Sequence, residues 1–183
     1  MNSPEWATRS ATDPWRWPDA STVHVVRADL DAGTADEALL SADERARAAR
    51  LRTPLLRQRF TTARGYLRHM LAGLLDVPPK DVDLDAGPHG KPALAAPHPP
   101  LEFNLSHAGG VALYAFSRHA PVGIDVERAR DDLPWERMAA RYFAPEEAAS
   151  IDTSDAFFAC WTRKEAVVKA TGTGLSQPLR DVV

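Results

Sequence analysis

The chain has 183 residues, of which 44% are hydrophobic and 26% are charged, a balance typical of a soluble globular protein with one domain or two small ones. Its net charge of -3 differs from the strongly basic balance of nucleic-acid-binding domains, so we expect no nucleic-acid partner and only a local site for any anion. A single cysteine, Cys160, fits a reducing compartment, and the sequence shows neither a basic apolar leader nor an apolar run near the ~20 residues that span a bilayer. These features predict a cytoplasmic protein with no membrane partner.

The first part of the chain predicts two helices that follow a short strand. Residues 1–20 are rich in Pro, Ser, Thr and Asp and favour neither helix nor strand, whereas residues 23–26 form the first candidate strand. Ser41 followed by Glu44 is a capping-box pattern, which predicts that an Arg-rich helix begins there. A second helix is predicted over 57–75, with its apolar residues on one face.

The middle of the chain predicts strands separated by turns. A short strand is predicted over 81–85, and the strand predicted within 101–110 ends in a loop. Residues 111–127 then have the pattern of two strands. In the second of these, the period of two places Asp125 and Glu127 on one face, pointing away from the core.

The last part of the chain predicts helices. A short helix is followed by a break near 143–144 and by a new helix that begins with Pro145. The absence of Gly and Pro and the spacing of apolar residues predict a longer helix over 156–171, which Gly172 and Gly174 close.

One stripe of this long helix carries chemically active groups. Trp161, Glu165 and Lys169 are spaced four residues apart and therefore lie on one side of the helix. If the predicted strand over 122–127 packs against this helix, three carboxylates and at least one lysine meet at one point.

The predicted strand and helix resemble the signatures of the 4'-phosphopantetheinyl transferases, in particular the surfactin-type (Sfp-like) class, whose patterns are GIDxE and WxxKEAxxKxxGxG. So many fixed positions carry far more weight than a lone Gly-x-Gly. The matching residues are Gly123, Ile124, Asp125, Glu127, Trp161, Lys164, Glu165, Ala166, Lys169, Gly172 and Gly174. Three further elements match the family: ARxxLR at Ala63, Arg64, Leu67 and Arg68, GKP at Gly90, Lys91 and Pro92, and FNxSH at Phe103, Asn104, Ser106 and His107, where Ala108 replaces the serine that usually follows.

The resemblance implies an α+β fold made of two halves related by a pseudo-twofold axis, with the ligand between them. The halves correspond to residues 1–118, which would supply the nucleotide contacts, and 119–183, which would supply the metal site, in a chain that acts as a monomer. Family members continue with further strands beyond the GLSxP element, whereas this sequence stops at Val183. We therefore expect the second half to be short at its C-terminal end.

The resemblance also implies an activity: transfer of 4'-phosphopantetheine from coenzyme A to a serine hydroxyl of an apo carrier protein, with release of 3',5'-ADP and dependence on Mg²⁺. Because Mg²⁺ prefers hard oxygen ligands, Asp125, Glu127 and Glu165 are the candidate metal ligands. The candidate catalytic residues are Glu127, Glu165 and Lys169, and our hypothesis is that Glu127 accepts the proton of the serine. Acyl carriers of polyketide synthases and peptidyl carriers of nonribosomal synthetases both remain open as partners.

The resemblance also implies contacts to coenzyme A from Arg45 and Arg47 of the first predicted helix, from Arg59 of the second, and from the following residues of the matching elements: Lys91, Ser106, His107, Lys164 and Lys169. The chain has 18 Arg but only 4 Lys, and three of the four lysines lie in these elements, where an ammonium and a guanidinium are not interchangeable. A solvated surface remains the alternative for Arg45 and Arg47. A structural role remains the alternative for Lys164 and for Arg64.

Two other functions stay open at the level of sequence. The short second half is compatible with a non-catalytic module that binds coenzyme A or a carrier. Acids and lysines alone would also suit a Mg²⁺-dependent hydrolase of a pyrophosphate, but that function does not account for the NLSH and GKP elements.

Overall fold

The computed structural model of the protein describes residues 17–19, 22–87, 90–95 and 97–182. Most of the predicted leader over 1–20, and Pro88 and His89 of the predicted GPHGKP turn, lie outside the described residues.

An antiparallel three-stranded sheet is built from β1 (His24–Asp29), β4 (Glu102–Ala108) and β5 (Val111–Ser117), in the order β1-β5-β4. The register pairs His24 with Phe116 across β1 and β5, and Glu102 with Ser117 across β4 and β5. Two shorter strands, β2 (Leu84–Ala86) and β3 (Pro92–Leu94), form a separate antiparallel pair. The strand predicted over 81–85 is therefore displaced, because Pro79–Asp81 forms a 3-10 turn first.

The helix α1 (Ala42–Ala49) begins with the predicted capping box, in which the Glu44 amide donates to Ser41 Oγ at 3.2 Å and the Ser41 amide donates to Glu44 Oε2 at 2.8 Å. The helix α2 (Pro54–Leu75) begins three residues before the predicted start, since the Thr53 side chain caps it and proline fits its first turn. Both predicted helices are confirmed.

The main hydrophobic core lies between α2 and the larger sheet. Leu67 and Leu71 of α2 are fully buried together with Tyr114 of β5. The hydroxyl of Tyr114 donates to the carbonyl oxygen of Ala63 at 2.8 Å, which satisfies the one polar group that this large side chain brings into the core.

A second core forms around the three helices of the C-terminal part: α3 (Trp135–Tyr142), α4 (Pro145–Ser150) and α5 (Ser154–Thr171). The predicted break between α3 and α4 and the predicted extent of α5 are confirmed, and α5 ends at Gly172, whose φ of 68° is the left-handed conformation that glycine adopts readily. Phe143 stacks on Phe157 with ring centroids 5.4 Å apart, and Trp161 packs on both rings. No described helix is long and apolar enough to cross a membrane.

The strand predicted over 122–127 is wrong, since residues 121–130 form neither strand nor helix. Side chains, instead of a neighbouring strand, bind the backbone of this segment: the Ile124 amide donates to Asn104 Oδ1 at 2.9 Å, and the Val122 carbonyl accepts from Lys91 Nζ at 3.1 Å. On the opposite side, Gly123 touches the backbone of α5 so closely that a Cβ would overlap it. The segment is therefore held between the sheet and α5 without being part of a sheet.

Candidate active site

The predicted meeting of segment 121–130 and α5 does occur, and Asp125 is its centre. Lys169 Nζ of α5 lies 2.6 Å from Asp125 Oδ1, and Ser106 Oγ of β4 donates to the same oxygen at 2.9 Å. Lys169 also donates to Ser106 Oγ at 3.0 Å, which closes a triangle of three groups from three parts of the chain. Lys169, Ser106 and Asp125 were each predicted from a different sequence element, and the structure brings them together.

Asp125 is almost fully withdrawn from solvent. Only 4% of its side chain is exposed, and its second oxygen, Oδ2, has no hydrogen-bond partner among the described residues. Buried carboxylate oxygens are normally paired, so an unpaired one calls for a functional explanation. An oxygen of this kind has the chemistry of a hard ligand for a cation.

The other two predicted acids lie close enough to Asp125 to feel its charge. Desolvation followed by the charge of Asp125 raises the pKa of Glu165, with Lys169 acting in the opposite direction. Desolvation and then Asp125 also raise the pKa of Glu127, although this residue keeps an exposed surface. Three carboxylates near one lysine therefore repel one another, which is the electrostatic condition that an added cation relieves.

The acids are not arranged as a finished metal site. Within the described ranges, no group of three or more His, Cys, Asp or Glu side chains is placed to hold a metal ion. The positive charge that contacts Asp125 in this structure is the ammonium of Lys169.

A cleft of about 320 Å³ lies beside this cluster, and α1, α2, β3 and β4 contribute to its wall. Two of the predicted coenzyme A contacts, Arg47 and His107, line it together with Gly90 of the GKP element. The guanidinium of Arg47 lies 5.5 Å from the ring centroid of Phe60, which holds it at the edge of the cleft. Desolvation, followed by the charges of Arg47 and Lys169, lowers the pKa of His107. Arg47 and His107 thus place cationic or donor groups on the wall of this cleft, and Lys169 lies close enough to His107 for its charge to act on it.

A second cleft of about 220 Å³ connects the first part of the chain with α5. Lys91, Asn104 and Lys169 line it, together with Gly90 and Gly174. Lys91 was predicted to contact the nucleotide, and the structure places it at this cleft with its ammonium on the Val122 carbonyl. Desolvation lowers the pKa of Lys91. The GKP element therefore lies between the two clefts.

Arg64 has the structural role that the sequence left open, and it also lines the larger cleft. Its Nε lies 2.5 Å from Glu44 Oε1, while Arg68 reaches Glu44 Oε2 at 2.9 Å and donates to the Val82 carbonyl. Glu44, only 8% exposed, thereby links α1 to α2 and fixes the helix that carries Arg47. The capping-box pattern predicted the local role of Glu44, but no sequence signal predicted the two arginine partners.

Two predicted arginine contacts do not line either cleft. Arg59 forms a two-point ion pair with Asp31, in which Nε and Nη2 each lie 2.7 Å from a carboxylate oxygen. Arg45 is exposed and donates to the carbonyl oxygen of Leu40. In the described residues these guanidinium groups hold neighbouring segments, so the structure gives no support to their predicted contact with coenzyme A.

Lys164 has the structural contacts that the sequence left open as its alternative role. Its side chain is 5% exposed, and its ammonium lies 2.7 Å from Glu147 Oε1 and donates to the backbone carbonyls of Leu179 and Val182. It also lies 5.6 Å from the centroid of the Phe143 ring. Lys164 therefore faces the C-terminal core, on the other side of α5 from Asp125, and is not available to a phosphate there.

Asn104 is a residue of the site to which the sequence assigned no role. It is 4% exposed, and its side-chain oxygen holds the Ile124 amide one residue before Asp125. Its place in the FNxSH element was the available signal, but the role depends on a contact between residues distant in sequence.

The sequence is similar to those of known proteins. Residues 121–183, which contain Asp125, Glu165 and Lys169, match a family described as the 4'-phosphopantetheinyl transferase superfamily. The chain is 40% identical over 167 residues to the 4'-phosphopantetheinyl transferase HetI of Nostoc sp., an alignment that covers 85% of this chain and 70% of the relative.

Two further relatives carry related names. A putative 4'-phosphopantetheinyl transferase of Synechocystis sp., slr0495, is 36% identical over 154 residues, covering 80% of this chain and 63% of the relative. The 4'-phosphopantetheinyl transferase psf-1 of Bacillus pumilus is 32% identical over 147 residues, covering 76% and 61%. The alignments therefore cover between 61% and 70% of the length of these three relatives.

Proposed function

Because the chain belongs to the 4'-phosphopantetheinyl transferase superfamily, we propose that it transfers 4'-phosphopantetheine from coenzyme A to a serine hydroxyl of an apo carrier protein and releases 3',5'-ADP. The observation that supports this proposal best is the triangle of Asp125, Ser106 and Lys169 at the junction of β4, segment 121–130 and α5. Lys169 of this triangle lines the smaller cleft, and His107, the residue after Ser106, lines the larger one.

The chain's own groups are suited to bind and orient coenzyme A. Arg47 and His107 lie where an anionic nucleotide would meet donors at the wall of the larger cleft. Lys169 lies next to them, 30% exposed on a flexible stem, and would neutralise the pyrophosphate. Transfer of a phosphoryl group depends mainly on such positioning and charge stabilisation, so these three residues carry most of the proposed binding.

The donor chemistry of the acidic cluster fits Mg²⁺. Asp125, Glu127 and Glu165 would hold the ion, because all three offer hard oxygens and Asp125 has an unpaired buried one. Bound there, the ion would supply charge stabilisation to the pyrophosphate oxygens. Dependence on Mg²⁺ remains part of the proposal.

The proposed reaction forms one phosphorus–oxygen bond, breaks another and moves one proton. The serine oxygen of the carrier attacks the phosphorus that bears pantetheine, and the bond from that phosphorus to the oxygen of 3',5'-ADP breaks. Glu127 is assigned the role of accepting the serine proton as general base. Glu127 is the exposed member of the three acids, which suits a group that must meet the serine of a second protein.

Several finer features stay predictions from the family. These are the surfactin-type class, the pseudo-twofold relation between residues 1–118 and 119–183, and a monomeric state. A location in the cytoplasm stays a prediction from the composition of the sequence. The carrier protein is identified only as an acyl or peptidyl carrier with an unmodified serine.

One assay tests the proposal directly. The protein is incubated with coenzyme A, Mg²⁺ and an apo carrier, and the carrier is examined by intact-protein mass spectrometry, with Lys169→Ala as the impaired variant and Lys80→Ala, at an exposed lysine, as the matched control. We expect the phosphopantetheine adduct with the wild type and the control. Free phosphopantetheine without an adduct would instead indicate a hydrolase, and nucleotide binding without turnover would indicate a binding module.

A further inference from the structure

The position of Lys169 on Asp125 has a consequence for metal binding. The ammonium lies 2.6 Å from Asp125 Oδ1, the closest ion pair of the acidic cluster, and Ser106 donates to the same oxygen at 2.9 Å. Asp125 is 4% exposed, so water and salt reach this pair only from the side of Lys169, which is 30% exposed. Oδ1 is therefore saturated by protein donors, and only Oδ2 is unpaired.

A divalent cation that binds Asp125 must share this space with the lysine. Two positive charges within about 4 Å repel each other strongly where the effective dielectric constant is about 20. The lysine is thus the counter-ion of Asp125, the carboxylate at the centre of the acidic cluster.

Lys169 has an alternative position available. Its side chain is 30% exposed and lines the 220 Å³ cleft beside Gly90 and Lys91. The flexible four-carbon stem of lysine lets the ammonium turn toward an anion in this cleft. An anionic substrate in that cleft offers Lys169 a second partner. When the lysine turns toward this partner, Asp125 Oδ1 becomes available to the divalent cation.

We infer that Lys169 is a built-in cation that competes with the divalent metal for Asp125 in the substrate-free protein and is drawn away by the phosphates of coenzyme A. The inference rests on the proposed function for the identity of the metal and the substrate. Because coupling between two ligands is reciprocal, a substrate that moves Lys169 also strengthens metal binding, which favours binding of the metal after or together with coenzyme A.

The test measures metal binding without coenzyme A and therefore without turnover. Mn²⁺ is the probe, and its free concentration is followed by electron paramagnetic resonance during titration of the wild type, Lys169→Met and Lys169→Gln. Removing the competing charge is expected to tighten Mn²⁺ binding by about tenfold or more, which is a conservative fraction of the repulsion between two charges at this separation. A lysine that served only as a phosphate contact would leave Mn²⁺ affinity unchanged.

The controls separate this inference from its premise. Lys80→Met makes the same change of charge at an exposed lysine and is expected to leave Mn²⁺ affinity at the wild-type value. Adding Asp125→Asn to Lys169→Met is expected to abolish the gain, and circular dichroism checks that each variant is folded. Unchanged or weaker Mn²⁺ binding in both folded Lys169 variants overturns the inference. Absence of carrier modification by the wild type overturns the proposed function and leaves this comparison intact.

Discussion

Gly123 allows the segment that carries Asp125 to lie directly on α5, and replacing it by alanine tests this packing. A Cβ added to Gly123 would overlap the carbonyl oxygen of Ala166 and the amide nitrogen of Ala170, and would lie 3.0 Å from the carbonyl carbon of Ala166. These are backbone atoms of a helix and cannot turn away as a flexible side chain would. The segment or the helix must therefore move.

The expected cost follows from the overlap. Overpacking of one carbon in a rigid contact costs roughly 1–3 kcal/mol, and an overlap with backbone belongs at the upper end of that range. Gly123→Ala should therefore lower the free energy of unfolding by about 2–3 kcal/mol, measured by urea denaturation. Because Asp125 lies two residues further on, carrier modification should fall more than the folded fraction accounts for.

A second glycine provides the matched control. Gly65 lies within α2, where an added Cβ would meet only the Leu39 side chain at 3.7 Å, an ordinary contact. Gly65→Ala should leave stability unchanged or raise it by up to about 1 kcal/mol, since alanine is the better helix former. Wild-type stability and wild-type carrier modification in Gly123→Ala would refute the close packing described above.

Three further changes test separate parts of the structure. Glu165→Ala should lower the rate of carrier modification by roughly a hundredfold or more, which a radioactive or mass-spectrometric transfer assay measures; near-normal modification at limiting Mg²⁺ would remove Glu165 from the metal site. Lys164→Met should lower the melting temperature, because Glu147 and two carbonyls lose their partner, but should leave the KM for coenzyme A unchanged in the folded protein; a raised KM at wild-type stability would return Lys164 to the substrate site. Glu44→Gln should lower the free energy of unfolding by about 3 kcal/mol at pH 7 because Arg64 and Arg68 lose their buried partner. Desolvation raises the pKa of Glu44, but the Ser41 amide and the two arginines outweigh it and hold the pKa below 4.5. The difference in the free energy of unfolding between Glu44→Gln and the wild type should thus shrink as pH falls through the pKa of the folded state. A difference in this free energy that does not depend on pH would contradict this account.

The sequence alone determined the features that depend on neighbours along the chain. The capping box at Ser41 and Glu44 satisfies backbone amides within one turn, so its pattern located the start of α1 correctly. The end of α5 at Gly172 was equally local, because a left-handed residue suffices to stop a helix. The signatures around Asp125 and Lys169 also identified the family, since they fix residue types at many positions at once.

Only the tertiary structure decided which partner each group meets. Lys164 and Lys169 belong to the same signature, but residues five apart on a helix point about 140° away from each other, so the packing of α5 sends one into the C-terminal core and the other to Asp125. Residues 122–127 alternate like a strand, yet a strand needs a paired neighbour, and here Asn104 and Lys91 bind the backbone instead. Sequence gives the chemistry of a side chain, whereas its surroundings depend on contacts that no local pattern encodes.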